Sequence, residues 1–204
     1  MTTDEEASER PLPLAAIVLA GGLSRRMGRD KRAIRVSGRP MLSRALDLAA
    51  AVGVEVVLSC RRESAPDPEL YRGREVRLVF DDRDAGPLAG LEVSLAAARF
   101  EEAIVFPVDM PGLAAGTLAR LAGEGLARPE ARAVVYSAGG SRLVFPAFYR
   151  RSALADVRAQ LDAGRLRVVE LLDRLEACVV EADAAAIAGG EFRNVNSEAD
   201  LAGF

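Results

Sequence analysis

The chain has 204 residues and a net charge of −3; of its 27 basic residues 26 are arginine, Lys31 is the one lysine, and histidine is absent. Without histidine there can be no His-containing catalytic triad, no His-ligated zinc and no imidazole general base. A hydrophobic share of 50 % and a charged share of 28 % fit an ordinary globular domain, and the near-neutral charge gives no global attraction for nucleic acid or a membrane.

The first residues, Met-Thr-Thr-Asp-Glu-Glu, are acidic, whereas a secretory leader needs a basic start and an apolar core. We therefore expect a loose tail over residues 1–12, one domain over 13–204 and a cytoplasmic location. Residues 14–20 (LAAIVLA) read as a fully buried strand that runs into a glycine-rich basic loop. A helix is expected over 40–51 and strands over 54–60 and 76–80. A helix over 88–99 precedes a strand over 103–108, whose Pro107 argues for an end near Phe106. A helix over 116–127, strands over 133–137 and 143–149, and helices over 152–163 and 168–175 complete the chain. Continuous apolar strands separated by amphipathic helices imply a doubly wound α/β fold, its mostly parallel sheet covered on both faces. Its crossovers should be right-handed. Cys60 and Cys178 lie far apart among apolar neighbours and read as two reduced thiols rather than a disulfide.

In such folds ligands bind beyond the carboxyl ends of the strands, which directs attention to residues 21–31, 59–66, 81–87 and 107–112. Gly21, Gly22 and Gly28 allow tight turns with exposed N–H groups, and residues 21–39 carry seven basic residues against one acid. Such a loop suits a polyphosphate, although a solvated basic turn would have the same composition. It is not a Walker loop, because Lys31 is followed by Arg32, and the glycine spacing is not that of a dinucleotide fingerprint. Asp109, between Pro107 and Pro111, offers a hard oxygen for Mg²⁺ or an Asx-type cap. Asp81, Asp82 and Asp84 precede Gly86-Pro87-Leu88-Ala89-Gly90, and three aspartates in four positions also suit a solvated turn. Near the end, Asn194 or Asn196 could complete a Mg²⁺ shell, or Asn196 or Ser197 could cap the last helix.

Taken whole, residues 19–31 read Leu-Ala-Gly-Gly-x3-Arg-Met-Gly-x-Asp-Lys. This closely resembles the signature of the molybdenum cofactor guanylyltransferases, within the Rossmann-like nucleotidyltransferases of the nucleotide-diphospho-sugar transferase type. The Gly-Pro-Leu-x-Gly turn, the Asp109-Met110-Pro111 segment and the Phe192-Arg193-Asn194-Val195-Asn196 terminus are similar as well. The resemblance implies guanylyl transfer from GTP to the terminal phosphate of molybdopterin, with Mg²⁺. It implies GTP contacts from Leu19, Ala20, Gly21, Gly22, Lys31, Asp82 and Asp109, and Mg²⁺ ligation by Asp109, with Asn196 as a further ligand. Lys31 and Asp109 would be catalytic, with Arg26 or Arg25 meeting the departing pyrophosphate. Ser59 stands where relatives often carry asparagine at the nucleotide, and residues 141–146 depart from the family pattern where the pterin is expected. Gly22 favours guanine over cytosine. A cytidylyl or sugar-phosphate nucleotidyltransferase, or a non-catalytic nucleotide-binding protein, are the competing readings. Expected partners are the two substrates and molybdoenzyme or cofactor-biosynthesis proteins, with no nucleic acid or membrane, and the chain acting as a monomer or weak oligomer.

Overall fold

A computed structural model describes residues 10–21 and 30–203. β1 (Leu12–Leu19) begins on the last residue of the segment expected as a tail. A one-turn 3-10 helix (Lys31–Ala33) and a two-strand ribbon, β2 (Arg35–Val36) and β3 (Arg39–Pro40), lead into α1 (Met41–Val52). Then come β4 (Gly53–Arg61), β5 (Arg77–Asp81), α2 (Pro87–Ala97), β6 (Glu102–Pro107) and α3 (Ala115–Leu126). β7 (Ala133–Ala138) and β8 (Ser141–Arg150) precede α4 (Leu154–Asp162), α5 (Val168–Arg174), β9 (Cys178–Glu181) and α6 (Ala184–Ala188).

The strands form a seven-stranded sheet in the order β5-β4-β1-β6-β8-β7-β9. It is mostly parallel, as expected, but β8 runs antiparallel to both its neighbours. β9, which the apolar pattern did not reveal, pairs in parallel with β7. Strand parity sorts the core into two layers. Leu14, Ala16 and Val18 of β1 pack with Leu42, Leu46, Leu118 and Leu121 from α1 and α3. Ala15, Ile17 and Leu19 face Leu88, Leu91, Val157 and Leu171 from α2, α4 and α5. This burial on both faces is why the parallel strands read as unbroken apolar runs. Cys60 and Cys178 are free thiols on β4 and β9, with four strands between them. Among the described residues, no helix is long and apolar enough to cross a membrane.

The order places the functional end of the sheet. From β1 the chain moves to the β4 side, whereas from β6 it moves to the β8 side. The loops leaving β1 and β6 diverge at this switch point, which is where open α/β sheets bind ligands.

Candidate active site

A pocket of about 540 Å³ opens at the carboxyl ends of β1, β4, β5 and β6, within the range of small-molecule sites. Leu19, Gly21, Val108 and Asp109 line its centre. Ser59, Arg61, Asp81 and Gly90 form one wall, and Val144, Phe145, Val168 and Asn194 form the other.

Lys31 and Asp109 meet across the switch point. Asp30 caps the one-turn helix through Arg32 N–H at 3.0 Å and binds Arg32 Nε at 2.8 Å. Burial disfavours ionised Asp30, but the Arg32 hydrogen bonds outweigh it and hold the carboxyl below its ordinary range. The Arg32 guanidinium is itself buried and reaches the Ala20 carbonyl, so the turn is tied to the end of β1. From it, Lys31 extends Nζ to 2.5 Å from Asp109 Oδ2; the two side chains are 15 % and 14 % exposed. Asp109 is fixed from both sides. Val108 N–H donates to the Leu19 carbonyl, and Val195 N–H donates to the Asp109 carbonyl. The other carboxylate oxygen, Asp109 Oδ1, is buried and has no hydrogen-bond partner among the described residues.

That orphaned oxygen is the structural observation that fits a metal ion. Mg²⁺ is commonly held by one or two carboxylates, with substrate phosphates and water completing its shell. Asp109, a pocket carboxylate with a spare oxygen, suits this mode. Among the described residues, no group of three or more Cys, Asp or Glu forms an all-protein metal cage.

The wall beside β4 and β5 is built for close approach. Ser59 is 1 % exposed and its hydroxyl has no partner among the described residues. A side chain at Gly90 would stand 2.9 Å from that hydroxyl and 3.1 Å from Leu19 Cδ2, so glycine lets α2 come down against the pocket. A side chain at Gly21 would meet Asp81 Oδ2 at 3.0 Å. Asp81 is 4 % exposed, and burial pushes its carboxyl above the ordinary range against the lowering effect of Arg61.

Of the expected site residues, Leu19, Gly21, Lys31, Ser59 and Asp109 line this one pocket, and Ala20 sits directly behind it, donating its N–H to the Ser59 carbonyl. Two expectations change. Asp82, expected to contact the nucleotide, is 70 % exposed in its side chain and pairs with Arg62; Asp81 faces the pocket instead. β5 runs one residue further than expected, to Asp81, and successive residues of a strand point to opposite faces. Asn196, expected at the metal, is exposed and absent from the wall, where Asn194 stands. The Asn196 and Ser197 N–H groups both donate to Asp200, so the carboxylate caps this turn. Arg61 and Asp81 are pocket residues that the sequence reading did not select. Their signal was position, as each ends a strand at the carboxyl edge. Gly22, Arg25 and Arg26 lie outside the described residues.

The family model described as a MobA-like NTP transferase domain matches residues 16–178. A molybdenum cofactor guanylyltransferase of Pseudomonas fluorescens is 38 % identical over 114 residues, covering 54 % of this chain and 55 % of that one. The matched stretch thus spans about half of that relative. A probable molybdenum cofactor guanylyltransferase of Bacillus licheniformis is 31 % identical over 189 residues, 91 % of this chain and 93 % of the relative. Among solved structures, molybdopterin-guanine dinucleotide biosynthesis protein A from Archaeoglobus fulgidus shares the fold with a TM-score of 0.78 at 23 % identity, over 93 % of this chain and 95 % of that one. So does 2-C-methyl-D-erythritol 4-phosphate cytidylyltransferase from Thermus thermophilus, with a TM-score of 0.69 at 19 % identity, over 94 % and 96 %. With most of its length matched and its pocket at the switch point of a Rossmann-like sheet, the chain belongs to the MobA-like NTP transferase family of nucleotidyltransferases.

Proposed function

We propose that the protein transfers a guanylyl group from GTP to molybdopterin and releases pyrophosphate. The observation that carries this reading is the Lys31–Asp109 pair across the switch point, with one Asp109 oxygen left spare. The names of the curated relatives support the choice of substrates.

An oxygen of the acceptor's terminal phosphate attacks the α-phosphorus of GTP in line. A new phosphoanhydride bond forms, the α–β bond breaks, and its electron pair leaves with pyrophosphate. A phosphate nucleophile is already ionised at neutral pH, so the absence of histidine costs the reaction nothing. The protein's task reduces to positioning and to neutralising charge on the phosphoryl oxygens. Lys31 supplies a point charge to the phosphates while Asp109 and Asn194 hold the ion side of the pocket. Mg²⁺ bound there supplies Lewis-acid charge to the phosphate oxygens. Ser59, Gly21 and Gly90 form the nucleotide wall, and Val144, Phe145 and Val168 give the acceptor an apolar surface. Arg26 is assigned to the departing pyrophosphate from sequence, because the Arg fork suits phosphate oxygens.

The test is pyrophosphate release by purified protein with Mg²⁺, molybdopterin and either GTP or CTP. Turnover with GTP and not CTP is expected. Turnover with CTP alone would overturn the guanylyl assignment, and GTP binding without pyrophosphate release would overturn the enzymatic one.

A further inference from the structure

A second cavity, of about 200 Å³, opens between the start of α1 and the Asp109 turn. It is smaller than the ~300–1,000 Å³ of ordinary ligand pockets, so it suits a small ion rather than a nucleotide. Val108 is the one lining residue it shares with the larger pocket, and its two charged lining residues are both arginines, Arg39 and Arg44. Arg44 donates from Nη2 to the Pro111 carbonyl at 3.1 Å. Its Nε is buried and has no partner among the described residues. A buried guanidinium donor without an acceptor is costly unless something completes it. The Arg39 side chain is 55 % exposed and shares the Asp47 carboxylate with Arg74. Among the described residues, the three guanidiniums Arg39, Arg44 and Arg74 thus meet one carboxylate, and positive charge is in excess. α1 itself begins after Pro40 with no side-chain cap and no acidic residue in its first turn, so the positive end of its dipole adds to theirs.

We propose that this cavity is a second anion site, which takes one small tetrahedral oxyanion such as inorganic phosphate between Arg44 and Arg39. A guanidinium offers only donors, and its planar fork matches the oxygens of a phosphate. Arg44 supplies the buried Nε–H, and Arg39 supplies a second charge from the solvent side. The same charges repel a metal cation. A carboxylate would meet the same donors, but phosphate brings about two charges near neutral pH where a carboxylate brings one, so phosphate is favoured. The site is separate from the substrate phosphates, because neither Arg39 nor Arg44 lines the larger pocket. The two cavities meet at one turn: Asp109 lines the larger, while Met110 and Pro111 line the smaller. An ion held by Arg44 therefore steadies that turn from behind, through the Pro111 carbonyl. None of this depends on which nucleotide the larger pocket accepts.

The experiment is titration calorimetry of the full chain with inorganic phosphate, without nucleotide or Mg²⁺, on native protein and on Arg44→Met, Arg39→Met and Lys31→Met. Native protein should bind phosphate saturably. Arg44→Met should weaken that binding about tenfold or more, the size of a lost hydrogen bond to a charged group. Arg39→Met should weaken it about threefold, because an exposed charge contributes less. Lys31→Met removes any phosphate held in the larger pocket and should leave this site within about twofold, as distant changes act independently. Acetate should bind more weakly than phosphate. The assignment is overturned by native protein that shows no saturable phosphate binding, or by binding that disappears in Lys31→Met and survives in Arg44→Met, which would place the ion in the larger pocket. Acetate binding as tightly as phosphate would also overturn it. Arg39→Met keeps the test decisive if Arg44→Met fails to fold: its side chain is largely in water, and unchanged phosphate affinity in that variant refutes the site.

Discussion

Replacing Lys31 by methionine removes the ammonium and keeps a stem of similar length, so it tests charge rather than packing. The Nζ···Oδ2 distance is 2.5 Å, which corresponds to ~7 kcal/mol of attraction at an effective dielectric of 20 before desolvation is counted. Breaking a fully buried pair costs about 3–5 kcal/mol. Here each side chain still keeps 14–15 % of its surface in water, so roughly 2 kcal/mol is expected, or about 4–8 °C in Tm for a domain of this size. The catalytic loss should be larger. One preorganised donor to developing charge supplies about 2.7–4 kcal/mol, a factor of 10²–10³ in kcat. Pyrophosphate release measured well below the variant's Tm separates the two effects. A kcat/KM within about threefold of native, alongside the lower Tm, would show that Lys31 only neutralises Asp109 and would remove it from the mechanism.

Asp109→Asn keeps the shape and removes the charge beside the orphaned oxygen, so half-maximal turnover should require about tenfold more Mg²⁺ or greater; an unchanged metal titration would return Asp109 to pairing with Lys31. Asp81→Asn should raise Tm at pH 7. Burial lifts the folded pKa of Asp81 above its ordinary 3.8, so its stabilising contribution is full below that value and is lost as pH rises through the folded value. The amide avoids this loss, and its advantage should shrink toward pH 4; thermal melts at pH 4 and 7 check the sign, and a lower Tm at pH 7 refutes it. Glu55 has 2 % side-chain exposure and accepts from Arg99 N–H at 2.8 Å, Arg99 Nε at 3.2 Å and Arg77 Nε at 3.0 Å. It joins β4, β5 and the end of α2 away from the pocket, so Glu55→Leu should cost roughly 2 kcal/mol with kcat unchanged, the two exposed arginines returning to water. A fall in kcat at low temperature would contradict this separation.

How far the sequence could be read depended on what each pattern encodes. β1, β4 and β6 are covered on both faces, so each appears as a continuous apolar run. Strand direction leaves no such mark: the apolar residues of β8 would look the same in either sense. The informative signal was the Gly139-Gly140 pair between β7 and β8, both at positive φ, which is the chemistry of a tight hairpin. β2, β3 and β9 are two to four residues long, too short to show a period. At the site, Lys31 and Asp109 were legible because each stands inside a contiguous motif, residues 19–31 for the lysine and the segment from Pro107 to Pro111 for the aspartate. The choices between Asp81 and Asp82, and between Asn194 and Asn196, were not local. One more ladder residue on β5 turns Asp81 inward and Asp82 outward, and a one-residue shift of strand phase exchanges the faces. Val195, fully buried, donates to the Asp109 carbonyl across 86 residues of chain, and that contact sets Asn194 on the pocket wall while Asp200 draws Asn196 into a separate turn. Where like residues stand in a row, composition supplies the chemistry, and a long-range hydrogen bond selects which residue delivers it.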